Sequence, residues 1–296
     1  EEHLGLMAVG YYAILETALR AQKNLSIDEH KKYLGKMYSE FSKIAADNPG
    51  GWSEIDLSWQ DIAMVSKKNT MQALPYNKFH CTSWNVNQAS AMLLCSEEIA
   101  DTLNIPQSKR IYPLASSEAN HMIAAIQRPN LIKPIGLKLA AEYILNICHK
   151  NNIKPNTYDL YSCFPVAVQM FAEALHLKDN EILTVTGGMS FAGGPLNNYM
   201  IHSTVKMLSD IRSTPSKIGL VTGVSGMMTK QAFALWAKDP LINFSSKDVT
   251  SDVASIERPR DISILNEGTG LIIGYTVLPK NHKEEEKAVI YIDDTN

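Results

Sequence analysis

Segments with helical periodicity alternate with short apolar runs along most of the chain. Apolar residues recur three or four positions apart, as in amphipathic helices, at residues 6–19, 30–46, 134–149, 166–175, 199–211 and 229–238. Short apolar runs that favour strands lie at residues 86–94, 110–115, 159–163 and 217–222. We expect the run at 86–94 to be buried. Helices of about 10–18 residues between short strands predict a layered α/β fold.

Two regions depart from this alternation. Residues 53–80 show little periodicity and are predicted to be irregular. Beyond residue 245 the chain is rich in β-branched residues punctuated by glycine, which predicts a small β-rich add-on. Its expected strands are residues 253–256, 261–265, 269–278 and 288–292, and the charged run at 283–287 predicts a solvated hairpin loop. Near the other end, Ser26 followed by Glu29 predicts a capping box at the start of the second helix.

Two glycine-rich turns lie just before the helical periodicity at 199–211, and the predicted helix starts at Pro195. The first is Gly187-Gly188, and the second is Gly193-Gly194-Pro195. Glycines followed by proline at the first helical position are typical of a helix that starts close to a ligand. Such a start leaves backbone N–H groups free to face the ligand. The same residues also suit a tight turn that serves packing alone.

Three segments in the second half of the chain resemble motifs of the thiolase superfamily, in the same order. They are residues 158–165, the Gly193-Gly194-Pro195 turn, and residues 220–230. In the first segment, Cys163 and Phe164 match the His-Asp-Cys-Phe version found in sterol-carrier-protein thiolases. Residues 191–199 together with 226–230 are most similar to the type-1 thiolase-like proteins, which are often described as acetyl-CoA acetyltransferases. Residues 48–52, 75–79, 84–94 and 110–116 also resemble that subfamily.

The resemblance implies a thiolase-like layered fold whose first half is absent from this chain. It divides the sequence into a loop or helical region (1–80), the end of the first thiolase half (81–130), the C-terminal thiolase domain (131–244) and an incomplete β-rich add-on (245–296). On this interpretation the chain is a C-terminal portion, and its expected partners are the missing N-terminal half and further copies or subunits in an oligomer.

The resemblance also implies a chemistry that this chain has largely lost. Thiolases transfer acyl groups through a cysteine thioester, and a histidine and a second cysteine handle the protons. Gly194 matches the position of that histidine and Gly223 that of the second cysteine, while the nucleophilic cysteine belongs to the absent half. Cys163 is the remaining catalytic candidate. A free cysteine after a buried strand is also a common small core residue.

A CoA thioester, as substrate or ligand, is the expected occupant, with no further cofactor. The resemblance and the glycine turns together indicate the substrate-binding candidates Tyr161, Ser162, Gly193, Asn197, Asn198, Tyr199 and Ser225. Tyr161 and Ser162 replace acid/base groups of the family, and neither titrates near neutrality when unperturbed. Three functions stay open: an impaired acyl-CoA acyltransferase, a non-catalytic module that binds acyl-CoA or a partner, and a structural subunit that completes an active chain.

Charge, hydropathy and cysteine content indicate which binding partners and which cell compartment we expect for this chain. The formal net charge of −3 gives no indication of nucleic-acid or membrane-surface binding. No apolar run reaches the roughly 18–20 residues of a membrane-spanning helix, and the first residues do not resemble a signal peptide. The four cysteines are widely spaced, which predicts reduced thiols in the cytoplasm. We find no metal-ligand spacing and expect no metal.

Overall fold

The computed structural model describes residue 4 and residues 7–262, 267–280 and 285–294. The helices are α1 (Ala8–Gln22), α2 (Ile27–Asp47), α3 (Trp59–Ala63), α4 (Glu97–Thr102), α5 (Ile135–Lys150), α6 (Pro165–Ala174), α7 (Gly188–Phe191), α8 (Tyr199–Ser213) and α9 (Thr250–Ile256). The strands are β1 (Met71–Ala73), β2 (Tyr76–Asn77), β3 (Tyr112–Asn120), β4 (Thr157–Asp159), β5 (Ile218–Ser225), β6 (Lys230–Ala237), β7 (Ser245–Asp248), β8 (Gly270–Leu278) and β9 (Lys287–Asp294).

A mixed sheet of five strands organises the core, in the order β4-β5-β6-β3-β7. The pairs β4–β5 and β3–β7 are parallel, whereas β6 runs antiparallel to both β5 and β3. Helix α5 packs on β3 and β6, and α8 packs on β5. Helices therefore accompany a central mixed sheet, and the predicted layered α/β fold is confirmed.

Local sequence signals account for the starts of the long helices. The Ser26 hydroxyl accepts a hydrogen bond from the Glu29 N–H, and the Glu29 carboxylate accepts one from the Ser26 N–H, so the predicted capping box is confirmed. Helix α5 begins directly after Pro134, which cannot donate the hydrogen bond that a helix interior requires. Its buried residues Leu137, Ala140, Ala141, Ile144 and Cys148 follow the helical period and face the sheet.

The β-rich add-on is a hairpin formed by β8 and β9, and it packs against α1. The Thr17 hydroxyl donates to the Tyr275 carbonyl at 2.7 Å and accepts from the Tyr275 N–H at 2.9 Å. The expected strands at 269–278 and 288–292 are confirmed. The strand expected at 253–256 is wrong, because these residues end helix α9. The predictions for 261–265 and 283–287 fall partly on residues outside the described ranges.

The helix predicted over residues 229–238 is wrong, because this segment forms β6. Gln231, Phe233 and Leu235 are buried in alternation with half-buried neighbours, which is the period of a strand. β6 also hydrogen-bonds on both sides, to β5 and to β3, so pairing within the sheet overrides the helical preference of its alanine, leucine and lysine residues. The turn before it comprises residues 226–229, and Gly223 lies inside β5.

Residues before the sheet depart from expectation as well. The prediction of a buried strand at residues 86–94 is wrong, because this segment forms no strand and Leu93 is 83% exposed. Residues 53–80, expected to be irregular, include α3, β1 and β2. β3 pairs with β6 and β7 in the five-stranded sheet. The division of the chain at residues 131 and 245 stays a prediction, although one sheet draws strands from both sides of each boundary.

Candidate functional site

A cavity of about 660 Å³ lies where three separate segments of the chain converge. The first follows β4, the second contains the glycine turn at 193–194, and the third is the end of β5 with the turn that follows it. Residues at the start of α1 and between 78 and 85 complete the wall. The lining residues are Met7, Ala8, Val9, Tyr12, Gln72, Lys78, Cys81, Thr82, Ser83, Trp84, Asn85, Tyr161, Cys163, Phe164, Met189, Gly194, Leu196, Val224, Ser225, Gly226 and Met227.

The cavity wall is mainly apolar, with a few polar groups. Tyr12 stacks on Phe164 with ring centroids 4.6 Å apart, which gives this part of the wall a rigid aromatic surface. Lys78 is a cation among the lining residues, and Thr82, Ser83, Asn85 and Ser225 supply hydroxyl and amide groups. An apolar cleft with a small number of polar groups is the usual form of a small-molecule site.

Two thiols belong to the cavity wall, and both are kept protonated. Burial raises the pKa of Cys163 to about 12, and a hydrogen bond with Tyr12 opposes only part of that rise. Burial, and to a smaller extent the charge of a Cys163 thiolate, raise the pKa of Cys81 to about 12. The thiolate is the nucleophilic form of cysteine, so neither side chain is activated at neutral pH. Cys163, the remaining catalytic candidate from the sequence, therefore lacks an environment that would activate it as a nucleophile.

The wall also lacks a proton acceptor suited to such a thiol. Among the residues that the structure describes, the cavity is lined by no histidine, aspartate or glutamate. His80 precedes Cys81 in sequence, but burial lowers the pKa of His80 to about 4, and its Nδ1 accepts a hydrogen bond from the Asn77 N–H. A neutral imidazole held by the backbone is poorly placed to act as a general base.

A buried carboxylate organises the approach to the first glycine turn. Asp159, the last residue of β4, is fully buried and accepts hydrogen bonds from five donors. The donors are the hydroxyls of Thr184, Thr186 and Tyr199 and the backbone N–H groups of Val185 and Thr186, at distances of 2.9–3.1 Å. Burial raises the pKa of Asp159, and these hydrogen bonds act in the opposite direction. The network joins β4, the 184–186 segment and the start of α8.

The first glycine turn sits directly against helix α2. Gly187 has φ of +96°, and a Cβ there would lie 2.3 Å from the backbone nitrogen of Ala45. Gly188 has φ of +74° and starts the short helix α7. The Met189 N–H donates to the Ser162 hydroxyl at 2.9 Å. Glycine is required here because the chain turns through a left-handed conformation at close contact with another backbone.

The second glycine turn supplies space to the cavity but no free donor at Gly194. The Gly194 N–H donates to the Ser83 carbonyl at 2.9 Å, so the expected free N–H is already satisfied. Gly193 has φ of +93°, and a Cβ there would meet the Gln88 amide. Pro195 is extended and precedes a short 3-10 turn, so α8 starts at Tyr199 and not at the proline as expected.

The sequence candidates fall into two groups. Tyr161, Cys163, Gly194 and Ser225 line the cavity. Tyr199 does not, because its hydroxyl is committed to the buried Asp159 network. Ser162 is buried beneath the wall, and Gly193, Asn197 and Asn198 are also outside the lining set.

Gly223 is separated from the cavity by the geometry of a strand. A Cβ at this position would lie 2.8 Å from the Met200 sulfur, on the α8 side of β5. Side chains of neighbouring strand residues point to opposite faces, and Val224 lines the cavity instead.

Sequence reasoning missed part of the wall. The start of α1, with Met7, Ala8, Val9 and Tyr12, and residues 78–85 both line the cavity. The only signal for the second segment was its cluster of small polar residues, Thr82, Ser83 and Asn85, next to Trp84. The helical spacing of apolar residues in α1 does not distinguish those that line the cavity from ordinary core residues.

Metal and membrane sites are not indicated by the part of the chain that the structure describes. Within it, no group of three or more histidine, cysteine, aspartate or glutamate side chains could hold a metal ion. None of its helices has both the length and the apolar character needed to cross a membrane.

Comparison with solved structures finds proteins of similar fold. A monomeric SCP2-thiolase-like protein type 1 from Mycobacterium smegmatis superposes with a TM-score of 0.86 and is 26% identical. The match covers 97% of this chain and 64% of that protein, so the chain spans less than two thirds of the relative's length. An Ltp2-ChsH2(DUF35) aldolase shares the fold with a TM-score of 0.60 at 16% identity, over 78% of this chain and 64% of that one.

Other comparisons add no relative to these. No family model matches the chain, and no curated protein sequence matches it. The resemblance that the sequence motifs carry is nevertheless confirmed by the match to the SCP2-thiolase-like protein, whereas the aldolase shares the fold alone. The chain has a thiolase-like fold and is similar, along nearly its whole length, to a type-1 SCP2-thiolase-like protein.

Proposed function

We propose that this chain binds an acyl-CoA thioester in the 660 Å³ cavity. The observation that carries the proposal is the convergence of Cys163, Gly194 and Ser225 on one cavity from three separate segments. The apolar part of the wall, with Tyr12, Phe164 and Met227, suits an acyl chain or the pantetheine arm. The hydroxyls of Thr82 and Ser225 could bind amide or carbonyl groups, and Lys78 could bind a phosphate.

We further propose that the chain by itself performs no thiolase chemistry. Gly194 and Gly223 offer no side chain for proton transfer, and the two cavity thiols stay protonated near neutral pH. The alternative is an impaired acyltransferase, in which residues of a longer protein supply the nucleophile and the base. The four free cysteines support a reducing compartment, and we place the chain in the cytoplasm.

Replacing Gly194 with leucine should weaken acyl-CoA binding. A Cβ at this position would lie 2.8 Å from the Met189 methyl group and 2.9 Å from a Thr82 methyl group, both on cavity-lining residues. The leucine side chain would occupy part of the cavity that the ligand needs, so we expect the Kd to rise about 5- to 150-fold, which corresponds to about 1–3 kcal/mol of binding free energy. Gly194 is not in the left-handed region, so the substitution brings no φ strain. Calorimetric titration with CoA and acetyl-CoA measures the change.

Gly223→Ala is the matched control for this experiment. Its new methyl group would contact the flexible end of Met200, away from the cavity, so the Kd should stay at the wild-type value. Equal affinities in the wild type and a folded Gly194→Leu variant would place the binding site elsewhere. Equal losses in both variants would indicate a general effect on the fold.

The purified chain should show no cleavage of acetoacetyl-CoA. Loss of members of a catalytic set typically lowers the rate by about 10³-fold or more. The assay follows the disappearance of acetoacetyl-CoA in the presence of free CoA, with an active thiolase as the positive control. Turnover by the chain that disappears in a Cys163→Ser variant would favour the acyltransferase alternative instead.

The segment of residues 84–95 is a candidate surface for the expected polypeptide partner. Val86, Gln88, Ser90 and Met92 are half-buried, whereas the intervening residues are exposed, so the segment is extended with one face outward. Its backbone groups form no backbone–backbone hydrogen bond with the described residues. Gln88 anchors it by donating to the carbonyls of Gly50 and Ala192. We propose that a strand of a partner, or of another part of the same protein, pairs with this edge.

The isolated chain should therefore self-associate at high concentration or retain a bound peptide. Leu93→Lys should reduce that association, because a charge on the outward face disfavours edge pairing. Leu103→Lys, at the end of α4, is the control, because Leu103 is also exposed but lies outside the segment. Sedimentation velocity and mass spectrometry measure the two effects. A wild-type chain that stays monomeric without a co-purifying peptide contradicts this proposal.

A further inference from the structure

The turn between β5 and β6 has an unusual backbone for its sequence. Gly226, Met227 and Met228 have φ values of +58°, +51° and +66°. Left-handed conformations are uncommon for residues other than glycine and persist only where the surroundings fix them. Gly226 and Met227 both line the cavity, so whatever fixes this turn also shapes the cavity wall.

Arg128 contacts the centre of this turn from the protein interior. Its Nη2 donates to the Met227 carbonyl at 2.6 Å, and its Nη1 donates to the Leu131 carbonyl at 2.9 Å. The side chain of Arg128 is buried, with the residue only 2% exposed, and it donates to these two backbone carbonyls. On the other side of the turn, the Thr229 hydroxyl donates to the Gly226 carbonyl and the Gln231 side chain donates to the Met228 carbonyl.

The burial of this guanidinium needs a structural reason. Within the described ranges, Arg128 lies within ion-pair distance of no carboxylate, although the buried Glu257 is near enough to influence it electrostatically. Burial of a charged group without a direct counter-ion is unfavourable unless its hydrogen bonds are well satisfied. Here the satisfied hydrogen bonds are those that connect the 128–131 segment to the strained turn.

We infer that Arg128 is a positioning residue that holds the Gly226–Met228 turn in its left-handed conformation and thereby places Met227 in the cavity wall. The effect on a ligand rests on the proposed binding of acyl-CoA. The effect on the turn does not, because it concerns the hydrogen bond between Arg128 and the Met227 carbonyl. The two can therefore be measured separately.

Hydrogen exchange tests the effect on the turn. In Arg128→Met, the amides of residues 226–229 should exchange at least about tenfold faster than in the wild type, since the turn opens locally. Arg128→Lys, which keeps one charged donor, should restore part of the protection. Arg110→Met is the matched control, because Arg110 also donates to a backbone carbonyl, but that carbonyl belongs to Ile105, outside the 226–229 turn. Folded Arg128 variants with wild-type exchange at 226–229 overturn the inference.

A double-mutant cycle tests the effect on the ligand. Arg128→Met should raise the Kd for acetyl-CoA about tenfold, but should cause little further loss in a Met227→Gly background, because Arg128 acts through Met227. Equal losses in both backgrounds overturn the positioning role. If Arg128→Met does not fold, Arg128→Lys takes its place in the cycle. A wild-type chain that does not bind acetyl-CoA contradicts the proposed function, and the exchange experiment still decides the role of Arg128.

Discussion

Replacing Asp159 with alanine should lower the free energy of unfolding by about 4 kcal/mol or more. The carboxylate accepts hydrogen bonds from two backbone N–H groups and three hydroxyls, all in the interior. Each buried donor left without a partner costs about 1–3 kcal/mol. Asp159→Asn is the control, because it keeps an acceptor of nearly the same size and should lose less than half as much. Urea unfolding followed by circular dichroism measures both variants.

This prediction concerns the cavity as well as stability. Asp159 fixes residues 184–186, which lead into the glycine turn at 187–188, and it fixes Tyr199 at the start of α8. The Gly194 turn lies between these two anchored points. If Asp159→Ala unfolds at the same urea concentration as the wild type, the network does not have the structural role described above.

Replacing Gly187 with alanine should also be severely destabilising, by about 3 kcal/mol or more. The new Cβ would lie within 2.4 Å of three atoms of Ala45, two of which belong to the backbone of α2, and φ of +96° disfavours any side chain. Gly50→Ala is the matched control. A Cβ at Gly50 would have its nearest neighbour at 3.5 Å, and the φ of Gly50 is not left-handed. The free energy of unfolding of Gly50→Ala should therefore differ from the wild type by less than about 1 kcal/mol.

Thermal unfolding of the two glycine variants provides the comparison. Gly187→Ala should either fail to accumulate as folded protein or unfold well below the temperature of Gly50→Ala. Similar midpoints for the two variants would show that α2 can move away from the turn at little cost, and the close contact would then not be essential.

The sequence predicted most of the layered core because helical periodicity there is strong. The segments that became α2, α5 and α6 combine an apolar face with a recognisable start, such as Ser26 or Pro134. Such local signals agree with the tertiary structure and therefore suffice. The β-rich hairpin at the end was predicted for the same reason, since β8 is rich in β-branched residues.

The failures have identifiable physical causes. β6 contains alanine, leucine and lysine, which favour helices, but its position between two strands decides its conformation. Residues 250–256 were expected to include a strand, yet Val253 packs one turn of α9 into the core. Residues 84–95 are apolar in composition, but the half-buried face is only one of their two faces.

The candidate site could be predicted only in part. Cys163, Gly194 and Ser225 were separate candidates in the sequence, and they lie together because turns that follow neighbouring strands meet at one edge of a sheet. The strand predicted at 217–222 extends to Ser225 as β5, so Gly223 lies within the strand and faces Met200 instead of the cavity. The contributions of α1, residues 78–85 and Arg128 depend on contacts between distant parts of the chain, which periodicity does not encode.

The most direct test of the central proposal is protection of Cys163 from alkylation by bound acetyl-CoA. Iodoacetamide labelling at pH 9, followed by peptide mass spectrometry, gives the rate at each cysteine. Because the pKa of Cys163 is raised to about 12, its labelling rate should increase about tenfold per pH unit below that value. Saturating acetyl-CoA should slow labelling of Cys163 several-fold and leave the exposed Cys95 unchanged. An unchanged rate at Cys163, under conditions in which calorimetry shows acetyl-CoA to be bound, would contradict binding in this cavity.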